Sequence, residues 1–85
     1  MTENGTLTVR YFAGAKAAAG RADEPIPAGR SLDAILTDLS TRTPALARVL
    51  TACSFLLDGT PHHRDDPTPL PPDTTLDVLP PFAGG

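Results

Sequence analysis

One cysteine, one lysine and few aromatic residues stand in this sequence, and each scarcity removes a class of structure or function. Cys53 has no second cysteine to pair with, so an internal disulfide framework is excluded. Six arginines and the lone Lys16 are scattered along a chain of net charge −3. Phosphate contacts need clustered cations, so this distribution argues against nucleic-acid binding, and an acidic surface instead suits a partner with a basic face. No apolar run approaches the ~20 residues of a membrane span. Nothing at the N-terminus resembles a charged region followed by an apolar signal stretch, and the expectation is a soluble, cytoplasmic protein. Aromatic residues make up 5% of the chain (Tyr11, Phe12, Phe55 and Phe82), which implies an aliphatic core. A chain of 85 residues builds one small domain and has little apolar material left to line a deep pocket, which argues against a self-contained enzyme.

What is abundant is proline. Seven of the ten prolines lie between Pro61 and Pro81, so the C-terminal third is expected to hold turns and short edge strands rather than helix. Before it, Thr6 to Phe12 alternates, with Leu7, Val9 and Tyr11 on one face, the period of a half-buried strand. Ala13 to Ala19, closed by Gly20, predicts a short helix with a left-handed glycine cap. Asp23 to Ala28 has only Ile26 as an anchor between Pro25 and Pro27, and is at most a short edge strand. Ser31 offers a hydroxyl cap, Asp33 sits in the first turn, and Leu32, Ile35, Leu36 and Leu39 repeat at helical spacing, giving a main helix to about residue 41. Pro44 opens a second helical stretch with Leu46, Val49 and Leu50 on one face. Ser54 to Leu57, the Asp58-Gly59 turn and Thr60 to Arg64 read as a hairpin whose return strand Pro61 puts at an edge. Residues 65–74 are a turn-rich loop with Leu70 as its inward anchor. Thr75 to Leu79 is the last strand, with Leu76 and Val78 inward. Helices grouped between strands on one small sheet give an α+β layer pair, with a domain over residues 1–79 and a tail over residues 80–85.

Several residues invite a chemical reading and have a plainer one. His62 and His63 are followed by Asp65 and Asp66, but adjacent histidines on a strand point to opposite faces and the spacing matches no zinc pattern, so a solvated edge or loop is expected. Cys53 lacks a local base or positive neighbour to activate a thiol and is read as structural. Ser31 is a helix cap rather than a nucleophile. The glycines near Ala15 complete no phosphate-binding pattern.

The tail reads Pro80, Pro81, Phe82, Ala83, Gly84 and Gly85. Two prolines stiffen the exit from the sheet, and two glycines leave the last residues without side chains, able to enter a narrow channel. A terminal Gly-Gly arises by chance in roughly one chain in two hundred. Joined to Pro-Pro-Phe-Ala after a strand, it resembles the end of the MoaD/ThiS family of sulfur carriers, and within that family the small subunit of molybdopterin synthase. Val9-Arg10-Tyr11-Phe12-Ala13 looks like the family's first strand, Ser31 to Leu39 like its main helix, and Leu57-Asp58-Gly59 like its central hairpin. Pro71-Pro72-Asp73-Thr74 departs from the family's Asp-Gly-Asp type of turn, which puts the turn geometry in question. The resemblance implies a β-grasp, ubiquitin-like fold with no bound cofactor. It also implies that an E1-like adenylyltransferase/sulfurtransferase uses ATP to adenylate Gly85, which is then converted to a thiocarboxylate. The large catalytic subunit of molybdopterin synthase, or another sulfur-accepting enzyme, is the implied acceptor. The carrier itself is not an enzyme. Phe12, Leu79, Pro80, Pro81, Phe82, Ala83 and Gly84 are the expected partner-contacting residues, Gly85 the reacting one. Carriers for thiamine, cysteine or a specialised sulfur metabolite, and ubiquitin-like modifiers, share the Gly-Gly end.

Overall fold

Alternating apolar and polar residues give β1 (Thr6–Tyr11) one buried face, Leu7, Val9 and Tyr11, and one exposed face, Thr6, Thr8 and Arg10. The computed structural model describes residues 5–81. In them β1 is followed by α1 (Ala13–Ala19), β2 (Asp23–Pro27), α2 (Leu32–Arg42), α3 (Pro44–Leu50), β3 (Ser54–Leu57), β4 (Thr60–Pro61) and β5 (Thr75–Leu79). The sheet order is β2-β1-β5-β3-β4. The central pair β1 and β5 is parallel and every other pairing is antiparallel. This mixed sheet with its helices in one layer has the expected β-grasp layout.

Local signals set most of the boundaries. Ser31 Oγ accepts from the Ala34 amide at 3.2 Å, capping α2, and Leu32, Ile35, Leu36 and Leu39 are its buried stripe. Gly20 takes a φ of 78°, the left-handed conformation that ends α1. Asp58 and Gly59, both at positive φ, form the tight turn between β3 and β4. The return strand is shorter than the sequence suggests. His62 still donates to the Phe55 carbonyl at 2.9 Å, but a turn closed by Asp66 onto His63 then takes the chain away from the sheet. Leu70 is fully buried, and its amide and carbonyl tie the proline-rich loop to Arg30 and Gly29. Asp73 adopts a φ of 63° and donates its amide to Thr6, so the Pro71 to Thr74 turn closes with aspartate where left-handed backbone is needed.

Both sheet edges are blocked by proline. The β1–β2 hydrogen bonds run through Ile26, Glu24 and the flanking pairs Ala28–Gly5 and Ala22–Tyr11, so the alternate positions, Pro25 and Pro27, face outward. On β4 the inward positions are Thr60 and His62, and Pro61 faces outward. An outward position without an N–H cannot template another strand. Replacing Pro25 and Pro27 together by valine is expected to produce concentration-dependent association that the parent lacks, read by sedimentation velocity. A double variant that sediments like the parent would show that proline does not guard this edge.

One buried contact escaped the sequence reading. Glu24, opposite Val9 on β2, is only 8% exposed and accepts a 2.6 Å hydrogen bond from the Tyr11 hydroxyl, with Arg21 at 3.5 Å and Arg42 at 3.9 Å. Burial first, then the hydrogen bond and charge of Glu24, push the Tyr11 phenol well above its ordinary value. A folded-state pKa above the unfolded one means that this contribution to stability is complete below about pH 10 and is lost as pH rises from there through the folded value. Tyr11→Phe is expected to cost about 1–2 kcal/mol at neutral pH, because Glu24 keeps its arginines but loses its nearest donor. It should also flatten the loss of stability above about pH 10. Urea unfolding at neutral and alkaline pH checks both parts, and an unchanged alkaline slope would refute the linkage.

Candidate functional site

Among the described residues, the helices cover one face of the sheet and no element covers the other. On the open face β1 contributes Thr8 and Arg10, β5 contributes Thr75, Asp77 and Leu79, and β3 contributes Ser54 and Leu56, the last two lying opposite Leu79 and Asp77. Where β5 ends, a groove of about 740 Å³ is lined by Phe12, Ala13, Gly14, Ser54, Leu79, Pro80 and Pro81. Of the residues expected to meet a partner, the structure therefore brings together Phe12, Leu79, Pro80 and Pro81. Phe82, Ala83, Gly84 and Gly85 lie outside the described residues.

Phe12 owes its position to the way β1 ends. Its backbone is extended and its amide donates to Val78 at 3.3 Å, so it continues the strand register, while Ala13 turns sharply at a φ of 48° to start α1. A left-handed alanine costs about 1 kcal/mol, and the strain falls at the floor of this groove. The ring is 37% exposed, the one large hydrophobic side chain in that state among the described residues. Arg10 lies over it, 5.4 Å from guanidinium carbon to ring centroid. The guanidinium is in turn held by Asp77, Nε to Oδ1 at 2.8 Å and Nη2 to Oδ2 at 3.2 Å. Ala13, Gly14 and Ser54 were not anticipated in the groove. Only the pairing of β3 with β5 sets Ser54 beside Leu79, and no local pattern announces a pairing.

The rival features are occupied with structure. The Cys53 thiol is half-buried and donates to the Val49 carbonyl at 3.2 Å, and burial pushes its pKa up, the reverse of an activated nucleophile. His63 is exposed as expected. His62 is not: its ring is largely buried and its Nε2 stands 3.9 Å from Asp66. Among the described residues no three His, Cys, Asp or Glu side chains gather as metal ligands. No helix there is long and apolar enough to cross a membrane.

The ThiS family model matches residues 9–85, from the middle of β1 through the terminal glycines. The chain belongs to the ThiS family. No curated protein matches this ThiS-family chain by sequence. Among solved structures it is similar to small archaeal modifier protein 1 from Methanosarcina acetivorans, at 25% identity and a TM-score of 0.78 over 95% of this chain and 97% of that one. It is also similar to a chain in the complex of subunits 1 and 2 of molybdopterin-converting factor from Helicobacter pylori, at 27% identity and a TM-score of 0.68 over 94% and 99% of the two chains. A putative molybdopterin-converting factor subunit 1 from Pyrococcus furiosus shares the fold, with a TM-score of 0.78 at 19% identity over 92% and 99%. The fold is thus the ubiquitin-like β-grasp, and the ThiS-family chain is a small non-catalytic protein of the sulfur-carrier or modifier kind.

Proposed function

We propose that this ThiS-family protein is a cytoplasmic sulfur carrier that serves molybdopterin synthesis, with Gly85 as the residue that carries the sulfur. The carrying observation is a family match that extends through Gly84-Gly85, together with an apolar groove where the chain leaves β5 at Leu79, Pro80 and Pro81. An E1-like enzyme would transfer AMP from ATP to the Gly85 carboxylate with loss of pyrophosphate, turning an inert carboxylate into an acyl group with a good leaving group. The outer sulfur of a donor persulfide then displaces AMP to give an acyl disulfide, and a second thiol, which ends in a disulfide with the donor's inner sulfur, cleaves it to leave the thiocarboxylate, a far better nucleophile than the carboxylate. The large subunit of molybdopterin synthase is the proposed acceptor, with the domain over residues 1–79 docking through Phe12, Leu79, Pro80 and Pro81 while residues 82–85 enter its site. The likeness to a chain in a complex of subunits 1 and 2 supports that choice. Incubation with an activating enzyme, ATP and a sulfur donor should raise the intact mass by about 16 Da, sulfur in place of oxygen. An unchanged mass would overturn the reading.

A second reading is favoured by the likeness to an archaeal modifier protein. There the same activated carboxylate forms an amide with a lysine of another protein. Conjugates that survive reduction and denaturation, together with no sulfur transfer to a molybdopterin precursor, would select it.

A further inference from the structure

The chain holds one side-chain amine, Lys16, and its other cationic side chains are arginines, whose guanidinium stays protonated and does not attack an acyl group. Lys16 is exposed on α1, whose buried side is Ala15 with Ala18 and Ala19 packed beside it. Its head group has no local counter-charge. Neither α1 nor α3, which packs against it, contains an acidic residue, and among the described residues no carboxylate pairs with Lys16. The amine is therefore open to an electrophile.

The terminal carbonyl lies within its reach by chain length. Pro81, the last described residue before the tail, lines the same groove as Phe12, Ala13 and Gly14. Lys16 stands one helical turn beyond Phe12, its amide donating to the Phe12 carbonyl at 3.4 Å. Residues 82–85 span up to about 14 Å when extended, and a helical turn rises only about 5 Å. The flexible four-carbon stem of the lysine adds its own length. An amine tethered this closely meets the acyl group at an effective concentration on the order of millimolar, about a thousandfold above a micromolar solution of second copies.

We propose that Lys16 is a modification site for the chain's own activated C-terminus, the amine that takes the Gly85 acyl group when no sulfur intercepts it. This rests on the activation of Gly85 that the carrier and modifier readings share. Nζ attacks the Gly85 carbonyl carbon, and the C–N bond forms as the C–O bond to AMP breaks. AMP leaves with the bonding pair, the nitrogen's proton passes to solvent, and nothing is oxidised or reduced. The product is an internal amide between the tail and α1. It has no free carboxylate and cannot be loaded with sulfur, so the sulfur donor and Lys16 compete for one acyl group.

The full chain prepared as its C-terminal mercaptoethanesulfonate thioester presents an activated Gly85 without the activating enzyme, which keeps this test apart from the carrier reading. There Nζ expels the thiol in place of AMP. At mildly alkaline pH the parent should give a monomer about 18 Da lighter than the free acid, one water, at a rate that does not change with protein concentration. Proteolysis should release a branched peptide joining Gly85 to Lys16. Lys16→Arg keeps the charge and the exposed helix position, and should lose this product and only hydrolyse. A parent that hydrolyses as Lys16→Arg does, an amide mapped to the N-terminal amine, or a two-chain product whose yield climbs with concentration overturns the assignment. Each of those results leaves sulfur loading at Gly85 untouched. Conversely, a thioester that cyclises on a chain that gains no sulfur keeps Lys16 and ends the carrier reading.

Discussion

Appending one residue after Gly85 is expected to reduce thiocarboxylate formation more than a hundredfold while leaving the domain as stable as before. Two physical requirements meet at that position. On the proposed reading the α-carboxylate must be free, because an amide in its place keeps only a neutral carbonyl oxygen, too weak a nucleophile to attack the α-phosphorus of ATP. On that reading the atoms leading to it also pass a channel that admits backbone and little else, so that a Cβ or a longer chain would shift the carboxylate from its place; a displacement of about 1 Å alone costs on the order of a hundredfold. No compensating loss of stability is expected, since Pro80 is half-buried, Pro81 is exposed, and the last buried residue among those described is Val78. ATP–pyrophosphate exchange and intact mass read the first effect and urea unfolding the second. An extended chain that still gains sulfur would move the chemistry away from Gly85 and end the carrier reading, whichever pathway it serves.

Where a residue's environment is decided by its near neighbours, the sequence was sufficient. The 3.6-residue spacing of Leu32, Ile35, Leu36 and Leu39, the hydroxyl of Ser31, the glycine after Ala19 and the Asp58-Gly59 turn each act over one or two turns of chain, and each appears where expected. Leu70 was legible for a different reason: in a loop with so many prolines, one leucine is the only apolar group available to anchor it. What stayed hidden depends on strand pairing. Arg10 meets Asp77 across 67 residues, Glu24 is buried because Tyr11 reaches it from the neighbouring strand, and Ser54 joins the groove through its register with Leu79. Alternation assigns Arg10 to a face but cannot name what lies beside it on the next strand. The β4 boundary shows the same limit, since Thr60 to Arg64 has strand composition and only its first residues have a strand to pair with. The candidate site was accordingly read as a line of residues along the chain, from Leu79 to Gly85 with Phe12 beside it, whereas the structure adds a second dimension. The groove is walled by the start of α1 and by β3, and a charged row lies next to it.

Phe12→Ala is expected to weaken docking of the activating enzyme by at least about thirtyfold, some 2 kcal/mol, the scale of an aromatic anchor at the centre of an interface. The ring has the features of such an anchor. It is the exposed large hydrophobic group among the described residues, it stands at the rim of an apolar groove, and Arg10 and the strained Ala13 fix its direction before a partner arrives. A side chain already held in place loses less rotamer freedom on binding, so more of its buried area appears as affinity. The core does not depend on it, because Leu7, Val9 and Tyr11 point to the helices and Phe12 does not; truncation should change folding stability by no more than about 0.5 kcal/mol. Leu79→Ala should weaken docking by a smaller factor, since Leu79 is half-buried against the sheet and has less surface to offer. The decisive comparison is between binding and chemistry. If Phe12 only docks, saturating enzyme should restore the full rate of sulfur loading to Phe12→Ala. If the maximal rate stays low at saturation, the ring helps to aim the tail, and the groove then works as a guide for residues 82–85 as well as a surface for the partner.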